Sequence, residues 1–463
     1  MIDSVLSRSD SHTDVDPATN EILARWTVPG AAIGVYKEGE TRFSTYGVTS
    51  LEARQPVTPE TVFRVASISK PFTATLAMTL VEDGLLDLDR PIVDYLPGVA
   101  ISDAAPERQG KVAMRHLLSH TAGIDCELAA DLANVGAGDD ATAQAIAMFG
   151  GLRQWAEAGE VMSYGNTGYW LAGHVVATLL GTTFEEAMRE RVFRPLGLER
   201  SVYTAEEAIV YPVALGHALK SPEDGTHELI RSYAYPRARR PSGGVISTVV
   251  DLMRFAAWHM GDSDAPLGIS DDRRRAMQEP VIRLRAADNE GWGIGWNIRE
   301  ATDGTRVIGH GGSYDGFQTQ LTIVPSRKFA FAILTNSARG GMANAEIERQ
   351  VLSAELGLDL PDHAPVALSA EALGSFAGTY SQPLASYEFS VAGGALEATI
   401  RTTDLHGNEQ PVPPPVRFAP IGERDFLVMD GDYRGTHADF QIDPITGRPH
   451  RVRIGVRIAN RTR

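Results

Sequence analysis

The segment FRVASISKPFTATLAM, Phe63 to Met78, sets Ser67 and Lys70 three positions apart and follows them at once with Pro71. Proline is tolerated in the first turn of a helix, where backbone donors have no internal partner, so the segment is constrained to begin a helix near Ser67. On such a helix Ser67 and Lys70 share a face and their side chains can meet. Leu76, Leu80 and Val81 continue the helical spacing and Gly84 suits its end, which predicts a helix from Pro71 to Leu85. A serine at that helix start offers its own N–H, and the helix dipole, to a developing oxyanion. A lysine beside it, once desolvated, loses its proton and can take the serine's. The plain alternative is a capping serine next to a surface lysine. Of the five lysines, Lys37, Lys70, Lys111, Lys220 and Lys328, only Lys70 has a serine three positions earlier.

A net charge of -16 over 463 residues argues against nucleic acid or an anionic membrane as the main partner. No stretch reaches the roughly 18 consecutive apolar residues of a membrane helix. The opening, MIDSVLSRSDSHTDVDP, has neither a basic start nor an apolar core, so it reads as a disordered tail over residues 1–18 and not as a secretory signal. The single cysteine, Cys126, rules out an internal disulfide framework and fits a reducing compartment. A cytoplasmic protein is expected.

Residues 29–48 read as two strands around a KEGE turn. The stretch from 100 to 300 mixes helices such as YWLAGHVVATLL with Gly- and Pro-rich loops. TRVIGHGG, FQTQLTIVP and KFAFAILTN then read as three successive strands, with a helix from about Ala343 to Leu356. Strands at both ends of a helical middle predict one α+β domain over residues 19–360, its sheet closed by both ends of that stretch. PDHAPVALSAEA, residues 361–372, reads as a linker. Short β-like runs over residues 373–463 predict a small barrel or sandwich. Its last strand carries Arg448, Arg451, Arg453 and Arg457, read as a solvated face in preference to an anion site.

Two further motifs follow the serine and lysine. GEVMSYGNTGYWLAG contains Tyr164-Gly165-Asn166, the only Tyr-x-Asn in the chain, and RVIGHGGSYDG contains His310-Gly311-Gly312 at the end of a predicted strand. Glycines there would let a substrate backbone lie against the strand edge. In order, Ser-x-x-Lys, Tyr-x-Asn and His-x-Gly resemble the three motifs of the serine β-lactamase and penicillin-binding-protein superfamily. The likeness is greatest to its class C branch and the related D-aminopeptidase-like peptidases and esterases, and it spans roughly residues 20–358. MRHLLSHTAGI and PSGGVISTVVDLMRF are similar to that family's phrasing as well. The C-terminal region resembles, more weakly, the lipocalin-like barrels appended to some family peptidases.

The resemblance implies a β-lactamase/transpeptidase-like fold and a serine hydrolase with no metal or organic cofactor. It assigns Ser67 as the nucleophile that forms an acyl-enzyme, and Lys70 as the group that lowers the proton affinity of its neighbours. Tyr164, as phenolate or through Lys70, becomes the general base and later the acid for the leaving group. Asn166 would bind the substrate's amide and orient Lys70. The oxyanion hole would be the N–H of Ser67 and that of Ser313, which follows Gly311 and Gly312. His310 stands where β-lactamases and cell-wall enzymes have a lysine, and a mostly neutral imidazole attracts a substrate carboxylate less than an ammonium does. That departure puts antibiotic and peptidoglycan chemistry in doubt. The expected substrate is a small amide or short peptide, with D- or unusual residues included. The alternatives are a carboxylesterase on short acyl esters and a non-catalytic binding or sensor module of the same fold.

Other candidates are weaker. His116 and His120 would share a metal if helical, but no third ligand is evident. His259-Met260-Gly261 closes a helical stretch, with Gly261 as its cap. GHGGSYDG lacks a Gly-x-Ser-x-Gly elbow, and NVGAGDD lacks the strand and helix of a nucleotide loop. Trp155, Tyr233 and Tyr235 are candidates for pocket lining or for packing. The oligomeric state is open.

Overall fold

In the computed structural model, which describes residues 11–127, 135–221, 225–285, 289–404, 408–431 and 434–462, the KEGE turn closes a hairpin between Gly30–Lys37 and Glu40–Gly47. Glu38 and Gly39 both take positive φ, +52° and +89°. That is the two-residue primed turn whose twist matches that of the flanking strands. The first of these strands pairs antiparallel with Phe329–Thr335, joining the beginning of the domain to its end. Among the described residues they belong to a nine-stranded sheet ordered Ser11–Asp14, Glu40–Gly47, Gly30–Lys37, Phe329–Thr335, Phe317–Val324, Arg306–Tyr314, Asn297–Glu300, Glu290–Trp292 and Ile282–Arg285. Ser11–Asp14 runs parallel to its neighbour. The tail expected over residues 1–18 is therefore structured from Ser11 onward, with a helix from Pro17 to Arg25; residues 1–10 lie outside the described residues.

The sheet is buried on both faces. Phe329, Phe331 and Ile333 pack with Leu23, Ile347 and Leu352 on one side, whereas Ala330, Ala332 and Leu334 face the larger helical core on the other. This is the two-residue alternation of a strand covered twice. Within the helical core lies Ser69–Glu82, which begins two residues before the helix predicted from the sequence. Every residue from Ser69 to Val81 is buried. The one-sided pattern read from Leu76, Leu80 and Val81 is overridden because neighbouring helices cover this helix all round.

Beyond residue 377 the short strands close into an eight-stranded antiparallel barrel, from Gly378–Gln382 to Arg457–Arg461. Tyr380, Phe389, Phe418, Phe426 and Phe440 fill its interior, and Phe376, which follows the helix Ala370–Ser375, packs against two of these rings. The barrel is thus a packed core.

The arginine-bearing last strand needs correction. It is two strands, Pro449–Ile454 and Arg457–Arg461, joined by Gly455 and Val456, with Gly455 at φ +61°. Arg448 is exposed, but the remaining arginines do not form a solvated face. Arg453 is buried in an ion pair with Asp439. Arg451 bonds Glu160 at 2.6 Å, and Ile458 packs on Ala156 and Val161 of the larger, preceding domain. The outer face of this hairpin is covered by the other domain.

Phe440 touches the rings of Phe376, Tyr380, Phe389 and Phe426. Phe440→Ala should cost the barrel about 3–5 kcal/mol. Urea unfolding followed by tyrosine fluorescence checks this, and a loss under 1 kcal/mol would mean the barrel core is loose.

Candidate active site

The segment that carries Ser67 is held on both flanks. Phe63–Arg64 pairs with Ile246–Ser247, and the Val65 N–H donates to the Val245 carbonyl. A 3₁₀ turn, Ala66–Ile68, then runs into the helix Ser69–Glu82. Ala66 is held at φ +47°, a left-handed conformation that costs a residue with a Cβ of order 1 kcal/mol and persists only where surroundings enforce it. Within this buried stretch Ser67 keeps partial exposure. The strand Arg306–Tyr314 lies directly against the turn. A Cβ on Gly312 would stand 2.2 Å from the Val65 carbonyl oxygen and 3.2 Å from the Ala66 Cβ, so only glycine allows the approach.

Lys70 is fully buried and its Nζ has three partners: Ser67 Oγ at 3.2 Å, Asn166 Oδ1 at 2.7 Å and the Ser242 carbonyl at 2.9 Å. Burial holds its pKa well below the ordinary lysine range; Glu127 acts in the opposite sense, while Arg457 and Arg239 add to the lowering. In the neutral amine the two N–H groups match the two carbonyl acceptors, and the lone pair is left for the Ser67 hydroxyl. Nζ also lies 4.7 Å from the centre of the Tyr164 ring. Burial pushes the Tyr164 phenol above its ordinary value despite its hydrogen bond with Ser67, so the free site holds a neutral phenol and not a phenolate. The basic atom in contact with Ser67 is therefore Lys70 Nζ.

His310 sits 5.9 Å from Tyr164, ring centre to ring centre. Its Nδ1 donates to the Gly311 carbonyl at 2.6 Å, which leaves Nε2 as a bare acceptor, buried and without a hydrogen-bond partner among the described residues. Burial and the nearness of Lys70 push its pKa down to about 3, so the ring is neutral at any ordinary pH. Gly311 and Ser313 lie on the opposite, exposed side of the strand from His310, and the Ser313 hydroxyl accepts from Gln318. Asn166 uses both ends of its amide: Oδ1 holds Lys70 and Nδ2 donates to Glu127 Oε1 at 2.5 Å.

The site also contains residues that the sequence did not single out for it. Glu127 is buried, and besides Asn166 it accepts from Arg457 of the barrel at 2.9 Å. The Tyr164 N–H donates to the Val456 carbonyl at 2.7 Å, and the Ile458 N–H donates to the Ser163 hydroxyl. His120, weighed earlier as half of a metal pair, stacks on Tyr164 at 4.3 Å and accepts at Nδ1 from the Gly165 N–H. Its supposed partner His116 instead caps the short helix Met114–Leu118, which ends before His120. Among the described residues no group of three or more His, Cys, Asp or Glu is placed to hold a metal. His259 is buried beside Thr75 and Trp296, and Gly261, at φ +69°, follows that helix. Trp155 belongs to the barrel seam, whereas Tyr235 and Tyr314 pack edge to face near the nucleophile turn. Tyr233 lies under the buried Arg64. Of NVGAGDD, Asn134 lies outside the described residues.

Fold and site together define the scaffold of a serine hydrolase family, with a serine hydroxyl in contact with a buried lysine between a helix start and a glycine-bearing strand edge. The chain belongs to the beta-lactamase family, whose model matches residues 18–356; members of the family are serine hydrolases. Homologues include a penicillin-binding protein, class C β-lactamases and a D-aminopeptidase. The chain is 34% identical over 344 residues to penicillin-binding protein 4 of Amycolatopsis lactamdurans, a match covering 72% of this chain and 88% of that protein. It is 26% identical to the D-aminopeptidase of Gluconobacter oxydans over 74% of this chain and 62% of that one. The solved structure of SurE with D-Leu superposes with a TM-score of 0.72 and 25% identity, covering 96% of this chain and 98% of that one, so the likeness extends through the barrel.

Gly312→Ala should displace the strand from the nucleophile turn and lower the acylation rate by about 100-fold, the cost of a misplacement near 1 Å. Stopped-flow measurement with a p-nitrophenyl ester checks this; an unchanged rate would separate that strand from the chemistry.

Proposed function

We propose that the protein is a serine hydrolase that acts through an acyl-enzyme at Ser67 on short peptides or small amides, D-residues among them. The observation that carries the reading is the set of three partners around the desolvated Lys70 amine. The Ser67 proton passes to Nζ as Oγ forms a bond to the substrate carbonyl carbon. The resulting oxyanion is met by the N–H groups of Ser67 and Ser313. As the C–N bond breaks, the leaving amine takes a proton from the Tyr164 phenol, which Lys70 reprotonates. Water then attacks the acyl-enzyme, giving up a proton by the reverse route, and Ser67 is restored.

The choice of amide over ester rests on the site and on the relatives. Tyr164 is a neutral phenol and thus an acid ready for an amine, a poorer leaving group than an alcohol. A D-aminopeptidase among the relatives, and a similar structure holding D-Leu, support D-residues. His310 presents an acceptor where the family's antibiotic-directed members present an ammonium. A substrate N–H or O–H suits it better than a carboxylate.

Intact-mass measurement after incubation with D- and L-aminoacyl amides and short peptides should find an acyl adduct that Ser67→Ala abolishes. Undiminished turnover by Ser67→Ala would overturn the assignment. Lys70→Ala should lose at least ~100-fold in the acylation rate. Benzylpenicillin should acylate slowly, with no gain when the pH falls from 7.5 to 5, because His310 does not charge in that range; acceleration on acidification would contradict its neutral assignment.

A further inference from the structure

A continuous run of polar contacts links the barrel to the nucleophile. Arg457 Nη2 donates to Glu127 Oε1, Asn166 Nδ2 donates to the same oxygen, Asn166 Oδ1 accepts from Lys70, and Lys70 meets Ser67, at 2.9, 2.5, 2.7 and 3.2 Å in turn. Beside it the turn of the barrel's last hairpin binds the Tyr164 N–H through Val456. We propose that Glu127 is a positioning residue that holds Asn166, and through it Lys70, in place, and that Arg457 secures Glu127, making the barrel a working part of the catalytic centre.

Burial supports the assignment. Glu127 is about 5% exposed, and a buried carboxylate without a cation is strongly unfavourable. Arg457 is the only side chain in an ion pair with it among the described residues. Of the two acceptors that match the neutral Lys70 amine, one is the Ser242 backbone and the other is Asn166. Asn166 can present Oδ1 to Lys70 only while its Nδ2 has an acceptor elsewhere, and Glu127 is that acceptor. A reversed amide would set two donors, the NH₂ and the amine N–H, against each other.

The consequence for protonation is fixed in sign. The groups facing Lys70 are Glu127, Arg457 and Arg239, the phenols of Tyr164 and Tyr169, and the neutral rings of His120 and His310. Glu127 alone carries negative charge, and favours the ammonium. Removing it should let Lys70 deprotonate at lower pH. Removing Arg457 should do the reverse.

The inference rests on the acyl-enzyme reading and is tested on the full chain with p-nitrophenyl acetate, following kcat/KM against pH. Glu127→Gln should move the acidic limb down and Arg457→Met should move it up, each by about one pH unit. The double variant should return it towards the wild-type position, and Arg457→Lys should hold it there. Circular dichroism and thermal melting identify any variant that fails to fold, and the conservative Arg457→Lys and Glu127→Asp then carry the comparison. A limb unmoved in folded Glu127→Gln and Arg457→Met overturns the proposal, as do shifts of one sign in both. If Arg457 only contacts substrate, its loss raises KM for peptides and leaves the ester limb in place. The acyl-enzyme reading fails separately, when Ser67→Ala still turns over; a static limb in variants that still form the Ser67 adduct counts against the positioning role alone.

Discussion

The withdrawal of Lys70 from water governs the arrangement of the site. An ammonium inside a protein is costly, so the amine is driven towards its neutral form, and a neutral amine is what a serine hydroxyl needs beside it. The helix Ser69–Glu82 is buried on all sides to produce that desolvation, and the carbonyl of Ser242 and the amide of Asn166 are set where the two N–H groups point. Even the left-handed Ala66 fits this scheme. It turns the chain where Ser67 keeps partial exposure while the next residues go under cover.

Burial has the opposite effect on the proton inventory of Tyr164, which keeps its hydrogen. One environment therefore leaves the lysine and the tyrosine both uncharged. The histidines of the site follow the same rule and stay neutral. The formal charges near Lys70 are left to Glu127, Arg457 and Arg239. The carboxylate is thereby the natural place from which the site's protonation is adjusted.

Much of this was legible in the sequence, for a physical reason. Ser67, Lys70, Tyr164, Asn166 and His310 sit in short motifs whose spacing is set by one helix turn, one loop and one strand end, and the structure brings them together. The KEGE turn and the alternating strands were equally local. Glu127 and Arg457 were not, because they meet across 330 positions and neither stands in a pattern of its own. The arginines near the end read as a solvated face because a run of charges usually points outward. That direction is right for Arg451, but the outside there is another domain's inside. His120 was missed because its role is stacking on Tyr164, and a ring contact leaves no mark on sequence spacing.

The hairpin turn at Gly455 and Val456 bears on how the molecule is made as well as on what it does. Like the pairing of Gly30–Lys37 with Phe329–Thr335, its contacts require the chain to close a very large loop before they reward it, and such contacts are slow to form. The catalytic sheet and its helices can acquire their shape while the Tyr164 loop still lacks its anchor and Glu127 its counter-ion. The activity proposed for the chain then needs both closures, that of the sheet and that of the barrel against it. Recovered activity in a refolding protein would mark the completed assembly of two separately folded bodies, and regained helix content would precede it.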